Sequence, residues 1–371
     1  MLSNKPGDKF GISEHYGYPE EEPPAIDYLP SIVMYPARIG IIGCGAETFQ
    51  FLTAYLRAGY DVVAFSDPDI QKAQEVRDAF YPLAKVCEDY RCIVDDTSIN
   101  FVDVTTNMPE GREALRECLK AGKHVLAQKH LIESLDQGLE FADLARQHNV
   151  RLAVNQDARW APGWRYATKL VQEGYIGNVT TFDAHAVWNH NWVKGSPLDE
   201  YELNVLRYFA YYWFDMINIV MENVRPLSVS SMVANTLSQA PKSPLLCSSQ
   251  VCYPNAIANM TLNGDCVFFG MDATIITGDE GVILTSGPDR HEQNLWFISR
   301  NKVYYPVLEG DWLPGGFHGA MAELIKSVEE GREPENSATS SLESSAICYA
   351  ALASVREQRH IVPWAENARR G

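Results

Sequence analysis

From Arg38 onward the chain alternates short apolar runs with stretches of helical period, and no other feature constrains the fold as strongly. Arg38-Ile39-Gly40-Ile41-Ile42 is an apolar run closed by glycine, hence a buried strand. A helical stretch from Ala46 to Ala58 follows, with Gly59 as its C-cap. Asp61–Phe65 reads as the next strand, and Asp67-Pro68-Asp69 opens another helix with proline in its first turn. Strands at Phe101–Val104, His124–Ala127 and Arg151–Val154 then alternate with helices over Pro109–Ala121 and Ser134–His148. Repetition of this βαβ kind builds a parallel sheet with helices on both faces.

After about residue 155 the rhythm changes. A helix over Trp164–Glu173 precedes Val179–Val187, where polar and apolar residues alternate, and a second helix spans Val205–Val220. Strand-like runs follow at Leu227–Val233, Val267–Phe269, Ala273–Thr277, Gly281–Leu284, Leu295–Ser299 and Lys302–Tyr305, before helices over Phe317–Glu330 and Ser341–Gln358. The expected fold class is α/β: an N-terminal Rossmann domain with a parallel sheet, plus a C-terminal α+β domain with a large, open-faced, mostly antiparallel sheet. The expected boundaries are an extended arm over 1–36, a nucleotide-binding domain over 37–156, and a substrate and oligomerisation domain over 157–371 whose last helices can pack back on the first domain. The arm holds Glu20-Glu21-Glu22-Pro23-Pro24, Pro30 and Pro36, and proline neither donates a backbone hydrogen bond nor leaves φ free.

Charge excludes some partners. The 371 residues carry a net charge of −17, which repels phosphate backbones and anionic lipid, so neither nucleic acid nor membrane is expected. The N-terminus lacks the apolar core of a signal peptide, and no run of about 18 apolar residues exists. The eight cysteines form no C-x-x-C pair, and the expectation is free thiols in a reducing cytoplasm.

Gly43-Cys44-Gly45-Ala46-Glu47-Thr48 lies between the first strand and the first helix, the place of a G-x-G-x-x-G turn. Gly43 permits the tight turn, Gly45 lets backbone approach a pyrophosphate, and the helix N-terminus offers N–H groups and partial positive charge. Thr48 stands where the third glycine eases helix–strand packing. Asp67 ends the second strand, 22 residues after Gly45. A carboxylate there accepts from ribose hydroxyls and repels a 2′-phosphate, which argues for NAD over NADP.

At Ala121-Gly122-Lys123-His124-Val125-Leu126-Ala127-Gln128-Lys129 the sequence resembles the glucose–fructose oxidoreductase/inositol dehydrogenase (Gfo/Idh/MocA) family, whose motif is A-G-K-H-V followed by E-K-P or Q-K-P. Arg151–Pro162, Trp192–Pro197, Trp213-Phe214-Asp215 and Phe317–Leu324 are similar to stretches of one subgroup. The resemblance implies a Rossmann domain with an open-faced sheet domain, bound NAD(P), a sugar, polyol or related cyclic alcohol as substrate, and a homodimer or homotetramer through the C-terminal sheet. It sets Lys129 beside nicotinamide and substrate, where an ammonium can orient the reacting oxygen. The cofactor set is then Gly43, Cys44, Gly45, Ala46, Glu47, Thr48, Asp67, Thr105, Thr106, Asn107, Gln128 and Lys129. His130 replaces the motif's proline.

The larger departure lies downstream. Where the family carries an aspartate and a histidine four residues apart, alignment through Trp213-Phe214-Asp215 puts Tyr208 and Tyr212. Helical i, i+4 spacing shares a face, which Asp215 extends. A tyrosine titrates near 10, and a neighbouring ammonium would lower that value, so a Tyr212–Lys129 pair is one candidate acid/base. The competing readings are tyrosines that merely pack in a non-catalytic binder, and redox-neutral chemistry with retained NAD. Asp183 to Trp192 is dense in aromatic and hydrogen-bonding groups suited to sugars. With the domain junction it supplies the expected substrate residues Arg159, Trp160, Trp164, Trp188, His190 and Trp192. No third ligand joins Asp183 and His185, so no metal is expected.

Overall fold

The structure is a computed structural model that describes residues 12–45, 47–106, 110–130, 132–221, 224–287 and 292–371. A short helix α1 (Ile12–Tyr16) precedes β1 (Arg38–Ile42), α2 (Thr48–Ala58), β2 (Asp61–Ser66), α3 (Ile70–Phe80), β3 (Lys85–Cys87) and α4 (Arg91–Val94). Next come β4 (Phe101–Val104), α5 (Glu110–Lys120), β5 (His124–Ala127), α6 (Leu135–Gln147) and β6 (Leu152–Val154). Helix α7 (Pro162–Gln172), β7 (Val179–Val187) and α8 (Tyr211–Val220) lead into β8 (Ser228–Ala234), β9 (Leu246–Cys252), β10 (Ile257–Asn263) and β11 (Met271–Gly278). The chain closes with β12 (Gly281–Gly287), β13 (Asn294–Ser299), β14 (Lys302–Tyr304), α9 (Gly315–Glu329) and α10 (Ala338–Glu357).

The residues fall into two compact units. One comprises 30–160 and 312–343, the other 1–29, 161–311 and 344–371. This differs from a simple split at 156/157. Residues 312–343, assigned by sequence to the second domain, lie with the first. The reason is apolar packing: Phe317, Ala320, Met321, Leu324 and Ile325 of α9 share one core with Phe51, Leu52 and Tyr55 of α2, and the Phe51 and Phe317 rings meet edge-on at 4.4 Å.

The first of these units holds a fully parallel sheet in the order β3-β2-β1-β4-β5-β6. That order reverses between β1 and β4, the point at which such sheets open a crevice at their strands' carboxyl ends. Its inner strands are buried along nearly their whole length, which is why they read as apolar runs, broken in β4 by the buried Asp103. Asp69 caps α3 by accepting from the Gln71 amide. Cys87 and Cys92 form a disulfide with Cα atoms 6.7 Å apart, which corrects the expectation of eight free thiols; the other six are free.

The second unit carries an eight-stranded sheet, order β14-β13-β12-β11-β7-β10-β9-β8, antiparallel except for β10 beside β7. Phe182, Ala184 and Ala186 of β7 are buried on one face, and His185 is exposed on the other. There a ladder of amides crosses the strands: Gln250 donates to Asn259 at 3.0 Å, and Asn259 donates to Asp183 at 2.8 Å. Val267–Phe269, expected as a strand, is an exposed loop, while β3, β9 and β10 were missed. The proline-rich arm holds α1 and then an extended course. Because prolines supply carbonyls without amides, Pro19 accepts from the Val303 amide and Pro24 from the Tyr166 hydroxyl.

Candidate functional site

The first unit collects its polar groups at the carboxyl ends of the parallel strands. After β1, Gly43 adopts φ +102 and donates to the Ser66 carbonyl at 2.8 Å. A side-chain carbon at Gly43 would come within 2.6 Å of the Thr106 amide nitrogen, so the turn requires glycine here for packing and for φ alike. Gly45 differs: a carbon added there meets nothing within 4 Å. No packing demands glycine at 45, and the open space lies at the start of α2, which takes no side-chain cap from Glu47. That is the arrangement an incoming phosphate needs. Thr48, in place of the third glycine, is buried, with its hydroxyl 3.5 Å from the Gly43 carbonyl.

Asp67, after β2, is braced on both oxygens: it accepts from the Cys44 amide at 2.8 Å and the Asp69 amide at 2.9 Å. A carboxylate retains acceptor capacity after two such bonds. Burial and the Asp67 charge push the Cys44 thiol up to about 12, so Cys44 serves the turn as an inert residue. After β4, the Thr105 hydroxyl donates to the Gly43 carbonyl at 2.5 Å, tying this loop to the glycine turn, and Thr106 follows. Ala46 and Asn107 lie outside the described residues.

Beneath this edge runs a buried network that sequence reading missed. Asp103 occupies the middle of the sheet, paired with Ile41 on one side and Leu126 on the other. It accepts from the Tyr55 hydroxyl at 2.7 Å and the Gln128 amide at 3.2 Å, and Asn155 donates onward to Gln128 at 3.1 Å. Burial pushes the Asp103 carboxyl up to about 6, against the lowering effect of its two donors. A carboxyl raised in the folded chain binds its proton more tightly there than when unfolded. Its stabilising contribution is present below about pH 4 and lost as pH rises through about 6, about 3 kcal/mol in all. The stability difference between Asp103→Asn and the parent chain therefore moves in the variant's favour by about that amount between pH 4 and 7. Denaturation midpoints of both proteins across that range check the sign.

After β5 comes Lys129, mostly buried, with its peptide bond to His130 in cis. Its ammonium is ion-paired with Asp157, which follows β6. Asp157 is 1% exposed and also accepts from the Trp312 indole at 2.8 Å. Sequence reading missed Asp157; the available signal was its position just past the last parallel strand. Arg159 and Trp160, expected at the substrate, are both buried in this unit. Arg159 donates to the Glu335 carbonyl at 2.5 Å, and Trp160 packs in the core under Gly319 of α9, where any side chain would strike its ring.

In the second unit the expected aromatic residues form a continuous ladder. Trp164 and Trp213 are buried edge-to-face at 5.6 Å, and Trp188 lies 5.4 Å from Trp213. His190 stacks on Phe209 with centroids 3.6 Å apart and ring planes 9° from parallel. Trp192 ends the series and is 60% exposed. Trp213 and Phe209 are members that were not among the expected substrate residues. The helix expected over Val205–Val220 is not regular: Val205–Phe209 forms a wider π-type turn before α8 begins. Tyr208 therefore lies on the π turn and Tyr212 on α8, so the shared face argued from uniform α-helical spacing does not carry over unchanged; both side chains are partly exposed. Asp215 is buried and accepts from the Ser344 hydroxyl at 2.6 Å, a structural role.

The family described as "Oxidoreductase family, NAD-binding Rossmann fold" matches residues 37–156. An uncharacterised oxidoreductase of Schizosaccharomyces pombe is 26% identical over 41% of this chain and 42% of its own length. A scyllo-inositol 2-dehydrogenase (NADP(+)) of Bacillus subtilis is 28% identical over 39% of this chain and 40% of its own. The chain thus aligns with about two fifths of the length of these curated relatives. Among solved structures, levoglucosan dehydrogenase in complex with NADH and levoglucosan superposes with a TM-score of 0.73 at 18% identity, covering 89% of this chain and 100% of that one. An oxidoreductase from Agrobacterium radiobacter, in complex with NAD+, L-tartaric acid and magnesium, gives 0.76 at 16%, covering 88% and 98%. These likenesses establish the fold. Among the described residues no helix is long and apolar enough to cross a membrane.

Proposed function

Because the chain belongs to the Gfo/Idh/MocA oxidoreductase family, we propose that it transfers hydride between a nicotinamide cofactor and a carbon of a sugar, polyol or related cyclic alcohol. The observation that carries this is the convergence of the glycine turn, Asp67 and Lys129 on one edge of a single parallel sheet. The open space at Gly45 and the uncapped start of α2 suit a pyrophosphate, and Asp67 suits unphosphorylated ribose hydroxyls, so NAD is the proposed cofactor. Bound nicotinamide supplies the hydride acceptor or donor. Lys129 orients the reacting oxygen and offsets its developing charge. The aromatic ladder ending at Trp192 offers flat apolar surfaces for the C–H faces of a sugar ring. The reading extends to cytoplasmic residence and to a homodimer or homotetramer through the uncovered sheet face, where Met232, Ile257 and Ile275 are exposed.

Titration with NADH and NADPH, followed by energy transfer from tryptophan to the reduced nicotinamide, tests this. Micromolar NADH binding with NADPH at least tenfold weaker is the expected result; binding of neither, by folded protein free of retained cofactor, removes the proposal. Tyr212 is the proposed proton-transfer group. Tyr212→Phe is expected to bind NADH within threefold of the parent while losing turnover by about a hundredfold or more, in line with general acid–base contributions. Full turnover in that variant assigns Tyr212 to packing.

A further inference from the structure

Asp157 is a carboxylate where a purely structural residue would be poorly placed. It sits on the short 3-10 segment Asp157–Trp160 after β6, and its side chain is almost wholly removed from water. Burying a charge is unfavourable unless it is paired, and a neutral residue of the same shape generally serves packing better. Both oxygens are occupied, one by the Lys129 ammonium and the other by the Trp312 indole at 2.8 Å. The backbone behind it is fixed too. A side-chain carbon on Gly316, at the start of α9, would run into the Asp157 carbonyl oxygen, so that helix presses directly on this segment. Lysine is a flexible four-carbon stem carrying a point charge, and it aims nothing without a partner. Trp312 and α9 make Asp157 a rigid partner.

We propose that Asp157 is a positioning residue that holds the Lys129 ammonium charged and aimed for the reaction. This rests on the dehydrogenase reading, in which Lys129 meets the reacting oxygen. No proton or hydride passes through Asp157; its effect is exerted through Lys129 alone.

The test compares the full-length parent with Asp157→Asn and Asp157→Glu. The first readout needs no substrate: trace acetylation with acetic anhydride at pH 8, quantified by mass spectrometry of the Lys129 peptide against exposed Lys85 in the same sample. Asn at 157 removes the charge partner, and the expected result is Lys129 acetylated at least tenfold faster, with NADH affinity within threefold. Glu keeps the charge and returns the rate to within about threefold of the parent. The second readout uses a polyol that the parent oxidises with NAD: kcat falls at least thirtyfold in Asp157→Asn while KM moves less than threefold, and Asp157→Glu recovers most of the loss. Unchanged acetylation in a folded, NADH-binding Asp157→Asn variant overturns the proposal, as does unchanged kcat. Should that variant fail to fold, Trp312→Phe releases one carboxylate oxygen while keeping the pair, and an unchanged kcat there overturns the proposal equally. A parent protein that binds no NADH instead defeats the underlying dehydrogenase reading, an outcome separate from all of these.

Discussion

Valine at position 45 is expected to lower NADH affinity by about a hundredfold while moving the unfolding temperature by about 2 °C at most. The separation of effects follows from two glycines two residues apart. A side-chain carbon on Gly45 has no neighbour within 4 Å among the described residues, and its φ lies outside the left-handed region, so the fold is expected to tolerate a side chain there. The same side chain fills the space at the start of α2 that a pyrophosphate must enter to reach the helix amides. Gly43→Ala is the converse. With φ +102 and the Thr106 amide nitrogen 2.6 Å from the added carbon, alanine strains the turn and strikes main chain. It is expected to destabilise the fold by about 3 kcal/mol, and to lose cofactor only as a consequence. Thermal melts and energy-transfer titrations on the two variants measure both quantities. Parent-like NADH affinity in Gly45→Val places the pyrophosphate elsewhere and takes the glycine-turn argument with it.

What the sequence made legible follows the range of the interactions involved. Five of the six parallel strands declared themselves because burial on both faces leaves runs such as Ile39–Ile42 and Val125–Ala127 apolar throughout, whereas the short, half-exposed edge strand β3 did not. Strand β7 was legible from its alternation, one face covered and one open. Strands β9 and β10 were not. Leu246-Cys-Ser-Ser-Gln-Val-Cys and Ile257-Ala-Asn-Met-Thr-Leu-Asn carry small polar residues, and their pairing partners decide their state. Val267–Phe269 shows the opposite error: good strand formers without a partner, left as an exposed loop. At the candidate site the local signals are the glycine turn, the residue after the second strand and the Gln-Lys motif. The glycine turn, Asp67 and Lys129 all lie on one sheet edge, each following its own strand. Asp157 and Asp103 were missed because each depends on contacts between residues far apart in sequence. Asp157 meets a lysine 28 residues earlier and a tryptophan 155 later, and no period or motif encodes that meeting.

The Lys129–Asp157 pair also determines how any loss of function at Lys129 must be interpreted. Lys129→Met leaves the Asp157 carboxylate buried, with the Trp312 indole still donating to it. Removing one partner of a buried pair costs about 3–5 kcal/mol, because the other charge is left uncompensated. For a chain of this size that is a fall of about 4–6 °C in Tm. Asp157→Asn should cost less, about 1–2 kcal/mol, since the lysine stem can carry its ammonium toward water and the asparagine oxygen can still accept from Trp312. The double variant Lys129→Met/Asp157→Asn has no buried charge left to strand. It is expected to be more stable than Lys129→Met alone, with a coupling energy of about 2–3 kcal/mol between the two positions. Thermal unfolding of the four proteins gives that cycle directly. Additive effects would mean that the two charges do not depend on one another in the folded chain. With the expected coupling, inactivity of Lys129→Met by itself is ambiguous between lost chemistry and a weakened site. The double variant separates them, because its fold is repaired while its ammonium is absent. If it binds NADH as the parent does and still turns over no alcohol, the ammonium is needed for chemistry as well as for charge balance.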